Sequence, residues 1–455
     1  METRKKLPAR VVASYTFNSL ATNSMWMLNN YFLLFFYTDV IRIPAAAASV
    51  IFLIARVWDA INDPMMGVIC DKTKSKEGKS RFWMKRVAIP GGVFLALSYF
   101  CPDWATPAKI LWAGFAYILQ GMAQTAISIP NSALTVSITQ DRTERVRLAQ
   151  YTAVPSAAAN ALIPALTMPF VRSFGEGNMR TGFFVLAAIL GVLYALATLS
   201  IYWSTRGMDP DTSLSASDPA AAKKDEPSAL ALIKAALQNK YCRLVTASYM
   251  CYLLLSGIMG STLIYYFRYT VGNEDLMGLY STSAVIGMLV SIVTMRAMSK
   301  KFGNARTCMI GAAICFVAMI PRVITGDQYQ SIFVACMILL GVGSGYVSEM
   351  SRQCNLDAAT YARLHGDNNP SVVLSVFTFG QKFGQAVSSV IAAALLAAFH
   401  YTAGDVPSAA VKRLFYVENV IFPMVVAVIL ILLLTRLDKM EKQMVRDLAA
   451  QEGAN

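Results

Sequence analysis

The stretch RVWDAINDP, residues 56–64, sets an arginine and two aspartates inside an otherwise apolar run. On an α-helix Asp59 and Asp63 stand one turn apart on one face, with Asn62 beside them. Two carboxylates that close in a low dielectric repel unless a cation lies between them or one takes a proton. Asp, Asn and Thr supply the oxygens that hard cations take. The spacing therefore predicts a cation socket. The other reading is a structural ion pair between Arg56 and Asp59 at i, i+3, which leaves Asp63 unexplained. A further charge, Lys382, falls within SVFTFGQKFGQAVSSV, with Thr378 one turn before it and Gln381 and Gln385 flanking it. Two polar faces accompany these charges. One carries Thr22, Asn23, Trp26 and Asn30; the other carries Gln120, Gln124, Ser128, Asn131 and Thr135, and Tyr151 opens the segment after it. Amides hydrogen-bond hydroxyls and rings cover the apolar side of a sugar, so the set suits a neutral polyhydroxylated ligand. The same faces could instead glue helices together.

The elements that must position these residues follow from composition. Of 455 residues, 56% are hydrophobic and 15% charged, with a mean hydropathy of +0.47. That is too little charge to cover a soluble protein of this length. Apolar runs long enough to cross the roughly 30 Å hydrocarbon layer recur along the chain. They predict twelve spans, near 11–38, 44–69, 87–101, 108–138, 147–170, 181–203, 241–267, 275–298, 307–321, 329–348, 370–399 and 412–435. A charge at mid-bilayer costs roughly 2.5–3.5 kcal/mol even on lenient scales. Arg56 and Lys382 are the Lys and Arg residues assigned to the membrane interior, the others within these bounds lying at span ends, so both read as residues in use.

The other basic residues gather at alternate loop ends, which puts both termini in the cytoplasm. The net charge of +13 is therefore topological, and nucleic-acid binding is excluded as a reading. METRKKLPAR runs straight into a long apolar stretch without a small-residue cleavage site and reads as an uncleaved start. The eight cysteines show no disulfide or zinc spacing. No nucleophile–base cluster or nucleotide loop appears, so an enzyme is not expected.

The main break lies at 204–240, where STRGMDPDTSLSASDPAAAKKDEPS is linker-like and ALALIKAALQNKYCR has amphipathic spacing. It separates a six-helix bundle at 1–203 from a second at 241–437, followed by a cytoplasmic tail at 438–455. Two such halves with a site between them is a transporter plan. GVICDKTKSKEGKSR, between spans two and three, matches the loop signature of the major facilitator superfamily at Gly67, Asp71, Lys76, Gly78, Lys79 and Arg81. A glycine there would let helices approach, and the aspartate at a helix end could pair with basic residues. SKKFGNAR at 299–306 is a degraded echo of it.

YFLLFFYTDV, IARVWDAINDPMMGVICDKTKSKEGK, SIPNSALTVSITQDRTERVRL, YYFRYTVGNEDL and TFGQKFGQA narrow the match. Together they resemble the glycoside–pentoside–hexuronide:cation symporter family, which includes melibiose permease. The resemblance implies an all-α integral membrane protein with the major facilitator fold, working by alternating access. It implies that Asp59, Asn62, Asp63 and Thr125 bind the coupling cation, Na+ or H+, with no other metal and no cofactor. Lys382, with Arg56, would couple this site to the cavity, and Gly67, Asp71, Gly78 and Arg81 would form the gating loop.

Asn23, Trp26, Asn30, Gln124, Ser128, Tyr151, Thr378 and Gln381 make the expected substrate set. Here the match departs from the family: its two galactoside-binding aspartates align with Asn23 and Ser128, its span-five arginine with Ala153 and its span-four tryptophan with Ser132. The reading is a monomeric symporter of a glycoside, uronide or related sugar in the cytoplasmic membrane, partnered by its small-molecule substrate and the lipid bilayer. The alternative is a carrier of the same fold for a lysolipid-like or amphipathic solute.

Overall fold

A computed structural model describes residues 7–138, 142–175, 177–209, 239–326, 329–364, 370–402 and 407–452. Of the amphipathic segment expected after the linker, residues 229–238 lie outside them, and the last five, 239–243, open α7. All regular structure among the described residues is helical. In chain order the helices are α1 (Ala9–Phe35), α2 (Ala45–Lys72), α3 (Lys79–Ser98), α4 (Thr106–Ile138), α5 (Arg142–Phe174) and α6 (Met179–Ser204). Then come α7 (Lys240–Tyr265), α8 (Leu276–Phe302), α9 (Asn304–Thr325), α10 (Gln330–Leu364) and α11 (Pro370–Ala398). The last span is α12 (Ala409–Tyr416) joined to α13 (Phe422–Glu452). Wide π-helical turns close α1 at Phe36–Val40 and α7 at Tyr266–Val271, and a third, Val417–Ile421, joins α12 to α13.

The chain is a twelve-span membrane protein. Nine helices among the described residues are long and apolar enough to cross a bilayer by composition alone. The three left out are the polar ones. α1 carries its hydroxyl and amide face, α3 starts on Arg81, Lys85 and Arg86, and α11 holds Gln381, Lys382 and Gln385. The expected third and ninth spans were short because the helices run on into basic, non-apolar turns, to Lys79 and Asn304. Outward side chains such as Leu111, Val293 and Ile324 are 74–81% exposed. A hydrocarbon solvent explains their number, since lipid leaves no penalty for apolar surface.

The chain divides into two compact units, Met1–Lys223 with Ala393–Val406 and Lys224–Ala392 with Pro407–Asn455. In the first, α3 packs on α4 and α6, α1 on α5 and α6, and α2 on α4. One core cluster holds Val11, Tyr15, Met84, Leu134, Leu148 and Ile201. An aromatic group caps the far end of α1, where Phe36 meets Tyr99 at 5.0 Å and Phe183 at 5.6 Å between ring centres. In the second unit α9 packs on α10 and α13, α8 on α10, and α7 on α13 and α10. Its core includes Tyr241, Tyr249, Val347, Met350, Phe377 and Leu434.

Candidate functional site

The site is assembled from α1, α2, α4 and α5 of the first unit. α2 runs unbroken from Ala45 to Lys72, continuing through Pro64. One turn apart on this helix, the two aspartates take different partners. Asp59 Oδ2 accepts from Arg56 Nη1 at 3.1 Å, and Arg56 Nη2 donates to Tyr117 OH on α4 at 2.9 Å. Asp63 Oδ1 accepts from Thr125 Oγ1, also on α4, at 2.9 Å. Asn62 is buried between them, and its Nδ2 has no hydrogen-bond partner. Gly121 faces Asp59: a Cβ there would lie 3.2 Å from Oδ1, so the missing side chain opens room for the carboxylate. The Arg56–Asp59 pair forms, and Asp63 is separately engaged by the threonine.

Beside Thr125 on α4, Gln124 and Ser128 turn into a cavity of about 390 Å³. Asn131 and Thr135 continue its wall along α4; Asn18, Ser19, Thr22 and Asn23 come from α1, and Thr152 from α5. Two polar atoms on this wall are buried without a hydrogen-bond partner, the donor Asn18 Nδ2 and the acceptor Asn131 Oδ1. Such orphans are rare in a folded protein because each carries a desolvation cost of about 1–3 kcal/mol. Other groups are internally engaged: Asn23 Nδ2 donates to Ser19 O at 2.8 Å, and Ser19 Oγ donates to Thr152 O at 2.8 Å.

Of the expected substrate residues, Asn23, Gln124 and Ser128 line this cavity, whereas Trp26, Asn30 and Tyr151 do not. Tyr151 is exposed, with Arg147 over its ring at 5.7 Å. Thr378, Gln381 and Lys382 lie on α11 in the second unit, Thr378 and Lys382 exposed and Gln381 half-buried. Sequence reading missed Tyr15, Asn18 and Ser19. They extend the Thr22–Asn23 face two turns toward the start of α1 at helical spacing, which was the available signal.

The loop after α2 is organised differently from the expectation. A Cβ on Gly67 would meet nothing within 4 Å, so this glycine does not serve a close helix approach. Gly78 does need to be glycine. Its φ of +88° and ψ of 152° lie in a region closed to other residues, and a Cβ would collide with the Asp209 carboxylate. Asp209 Oδ2 accepts from Ser80 N at 2.9 Å and Arg81 N at 3.0 Å, capping α3. Arg81 Nη2 donates to Tyr202 O at 2.8 Å, locking α3 to α6. Hydrogen bonds from Lys85 and Tyr202 hold the Glu77 carboxyl below its usual range. The Asp71 side chain lies outside the described residues.

Long apolar helices with lipid-facing outer surfaces, around a polar cavity and embedded carboxylates, define a multi-pass membrane transporter of small molecules and not an enzyme. The family model described as MFS/sugar transport protein matches residues 14–439, and the chain belongs to that family. An isoprimeverose transporter of Lactiplantibacillus pentosus is 27% identical over 450 residues, 97% of this chain and 92% of that protein. The putative glycoside/cation symporter YagG of Escherichia coli (strain K12) is 24% identical over 400 residues, 86% and 83% of the two chains. Among solved structures, a bacterial homologue of the iron transporter ferroportin in its inward-facing state superposes with a TM-score of 0.66 at 12% identity. It covers 94% of this chain and 98% of that one, a likeness of fold.

Proposed function

We propose that the protein is a symporter that moves a glycoside, uronide or related sugar together with a cation through the cytoplasmic membrane. It works as a monomer with both termini in the cytoplasm. The observation that carries the reading is the Thr125–Asp63 hydrogen bond. It ties the α2 carboxylates to α4 at the residue beside Gln124, one turn from Ser128, so the helix that would sense the cation is also a wall of the cavity. A cation bound by Asp59, Asn62, Asp63 and Thr125 would have four oxygen-bearing side chains. That set suits sodium better than a proton, which needs only one. Arg56 neutralises Asp59 in the structure described, so an arriving cation would compete with the guanidinium for that carboxylate. This competition gives Arg56 its coupling role. Lys382 is assigned the matching role on α11: Lys382→Ala should lose concentrative transport, and normal transport at saturating cation would remove Lys382 from the scheme.

Amide- and hydroxyl-bearing side chains are the commonest residues lining the cavity, with apolar surface between them, which supports a polyhydroxylated substrate with an apolar face over a lysolipid-like one. Neutral Asn23 and Ser128 stand where the family's galactoside-binding carboxylates align. A carboxylate accepts strong hydrogen bonds from sugar hydroxyls and repels anions. Its absence weakens the grip on neutral galactosides and admits acidic sugars. The test is uptake by vesicles containing the purified protein, driven by an imposed sodium or proton gradient, across a panel of glycosides and uronides. Uptake of a uronide with little competition from melibiose is expected. Strong melibiose competition that collapses in Asn23→Ala and Ser128→Ala would contradict the specificity assignment.

A further inference from the structure

The second unit contains a buried carboxylate to which the symport scheme gives no role. Glu418 lies in the wide turn Val417–Ile421 and is 0% exposed. Neither of its oxygens has a hydrogen-bond partner among the described residues. The Thr262 side chain on α7 is a polar group that faces it. The nearby donors are already committed. Thr262 gives its hydroxyl proton to Ile258 O at 3.0 Å, and the Asn419 amide gives its two protons to Thr262 Oγ1 at 3.2 Å and Phe415 O at 3.0 Å. What remains around the carboxyl is acceptor capacity: a lone pair on Thr262 Oγ1, and Asn419 Oδ1, which has no partner. An anion here would have lost its water and could gain a donor only by drawing the Thr262 hydroxyl away from Ile258 O. The neutral acid reverses the mismatch, because its O–H is itself a donor.

None of the charged and titratable groups on the elements packed against this turn hydrogen-bonds the carboxyl group. On α9, Arg322 is 1% exposed. It donates to Asn419 O at 3.3 Å and to Tyr266 OH at 3.3 Å, and sits over the rings of Tyr266 and Phe333. On α7, Tyr265 stacks on Phe415. On α12, Arg413 is exposed and Lys412 and Tyr416 are half-buried. On α13 the first titratable residue is Arg436.

We propose that Glu418 is a proton-binding site of the second unit, holding one proton and donating it to Thr262 Oγ1. The proton is taken from water and returned to it, so binding needs no co-reactant. A hard cation would take about six oxygens. The side chains present offer four: two from Glu418, one from Asn419 and one from Thr262. The site is independent of the carboxylates on α2.

Infrared spectroscopy of the full-length protein in lipid vesicles tests this without any transported substrate, so its outcome is separate from that of the symport scheme. At neutral pH the wild type should show a protonated-carboxyl C=O band that is lost in Glu418→Gln. The band should shift in Thr262→Val, which removes the acceptor. Glu418→Gln, an isostere of the neutral acid, should unfold at the wild-type temperature. Identical acid-band spectra for wild type and Glu418→Gln would overturn the proposal. So would a band unmoved in Thr262→Val, or one abolished by sodium at constant pH. Should Glu418→Gln not fold, Thr262→Val and the sodium titration of the wild type decide the matter.

Discussion

The start of α3 in the first unit and the start of α9 in the second are the same device made from different residues. Gly78 has φ +88° and ψ 152°; Gly303 has φ +87° and ψ 168°. Behind Gly78, one oxygen of Asp209 accepts from Ser80 N and Arg81 N. Behind Gly303, the two oxygens of Glu441 accept from Asn304 N at 2.8 Å and Ala305 N at 2.7 Å. In each case a carboxylate, just after α6 or in the C-terminal part of α13, satisfies the first amides of a helix whose N-terminus is electropositive. A basic residue then ties the same two segments together, Arg81 to Tyr202 and Arg306 to Asp438. The first unit surrounds this device with a full loop signature and the second with a remnant, yet the geometry is common to both. What the chain must supply is a glycine backbone and a distant carboxylate, not the remaining letters of the motif.

The embedded carboxylates show the opposite pattern. In the first unit Asp59 and Asp63 receive hydrogen bonds from Arg56 and Thr125. In the second, Glu418 is buried with neither oxygen hydrogen-bonded. The first arrangement can exchange a donor for a cation; the second calls for a proton.

The largest effect on the shared device should come from the glycines. Gly78→Ala adds a backbone conformation costing about 1–3 kcal/mol to a collision with Asp209. Gly303→Ala has the same backbone cost, but its Cβ would sit 3.2 Å from Glu441 Oε1, a contact a flexible side chain can relieve. Thermal unfolding in detergent should rank Gly78→Ala below Gly303→Ala; the reverse order would break the equivalence. Next come the caps. Asp209→Ala and Glu441→Ala should each cost about 1 kcal/mol, in the range of lost N-caps. Each should loosen its own unit in hydrogen exchange, and a loss spread evenly over both units would count against two separate devices.

In the cavity, Asn131→Ala should raise KM about tenfold with little change in kcat, as removal of one hydrogen bond of about 1.4 kcal/mol would. A loss confined to kcat would take Asn131 out of the binding wall. The smallest effect concerns Glu77. Its folded-state pKa is lowered by the Lys85 and Tyr202 hydrogen bonds, so its contribution is present at neutral pH and fades as pH falls through that lowered value. Exposed pairs contribute about 0–1 kcal/mol, so Glu77→Gln should lose a small increment at pH 7 and match the wild type in acid. Equal loss at both pH values would assign the increment to packing instead.

Much of this was legible in the chain. Apolar run lengths predicted the spans, and the i, i+4 aspartates with Asn62 predicted a charged face on α2. The family resemblance placed Thr125 beside them, where it does bond Asp63. Asp209 and Glu441 were not legible, because each acts on a helix more than 120 residues away by virtue of packing alone. Nor could periodicity single out the cavity face of α1. Ser14, Thr16, Asn18, Ser19, Thr22, Asn23, Ser24, Asn29 and Asn30 surround that helix, so Trp26 and Asn30 read as well as Asn18 did. Glu418 was hidden because a lone carboxylate near a span end resembles an ordinary loop charge; only its burial separates it.

The central claim is that the α2 carboxylates hold the cation that drives transport. Sodium- or proton-driven accumulation by vesicles containing Asp59→Asn or Asp63→Asn protein tests it directly, measured beside equilibrium substrate exchange in the same vesicles. The account predicts that both variants fold and still exchange substrate, but no longer concentrate it. Cation-stimulated accumulation retained in both single variants would contradict it.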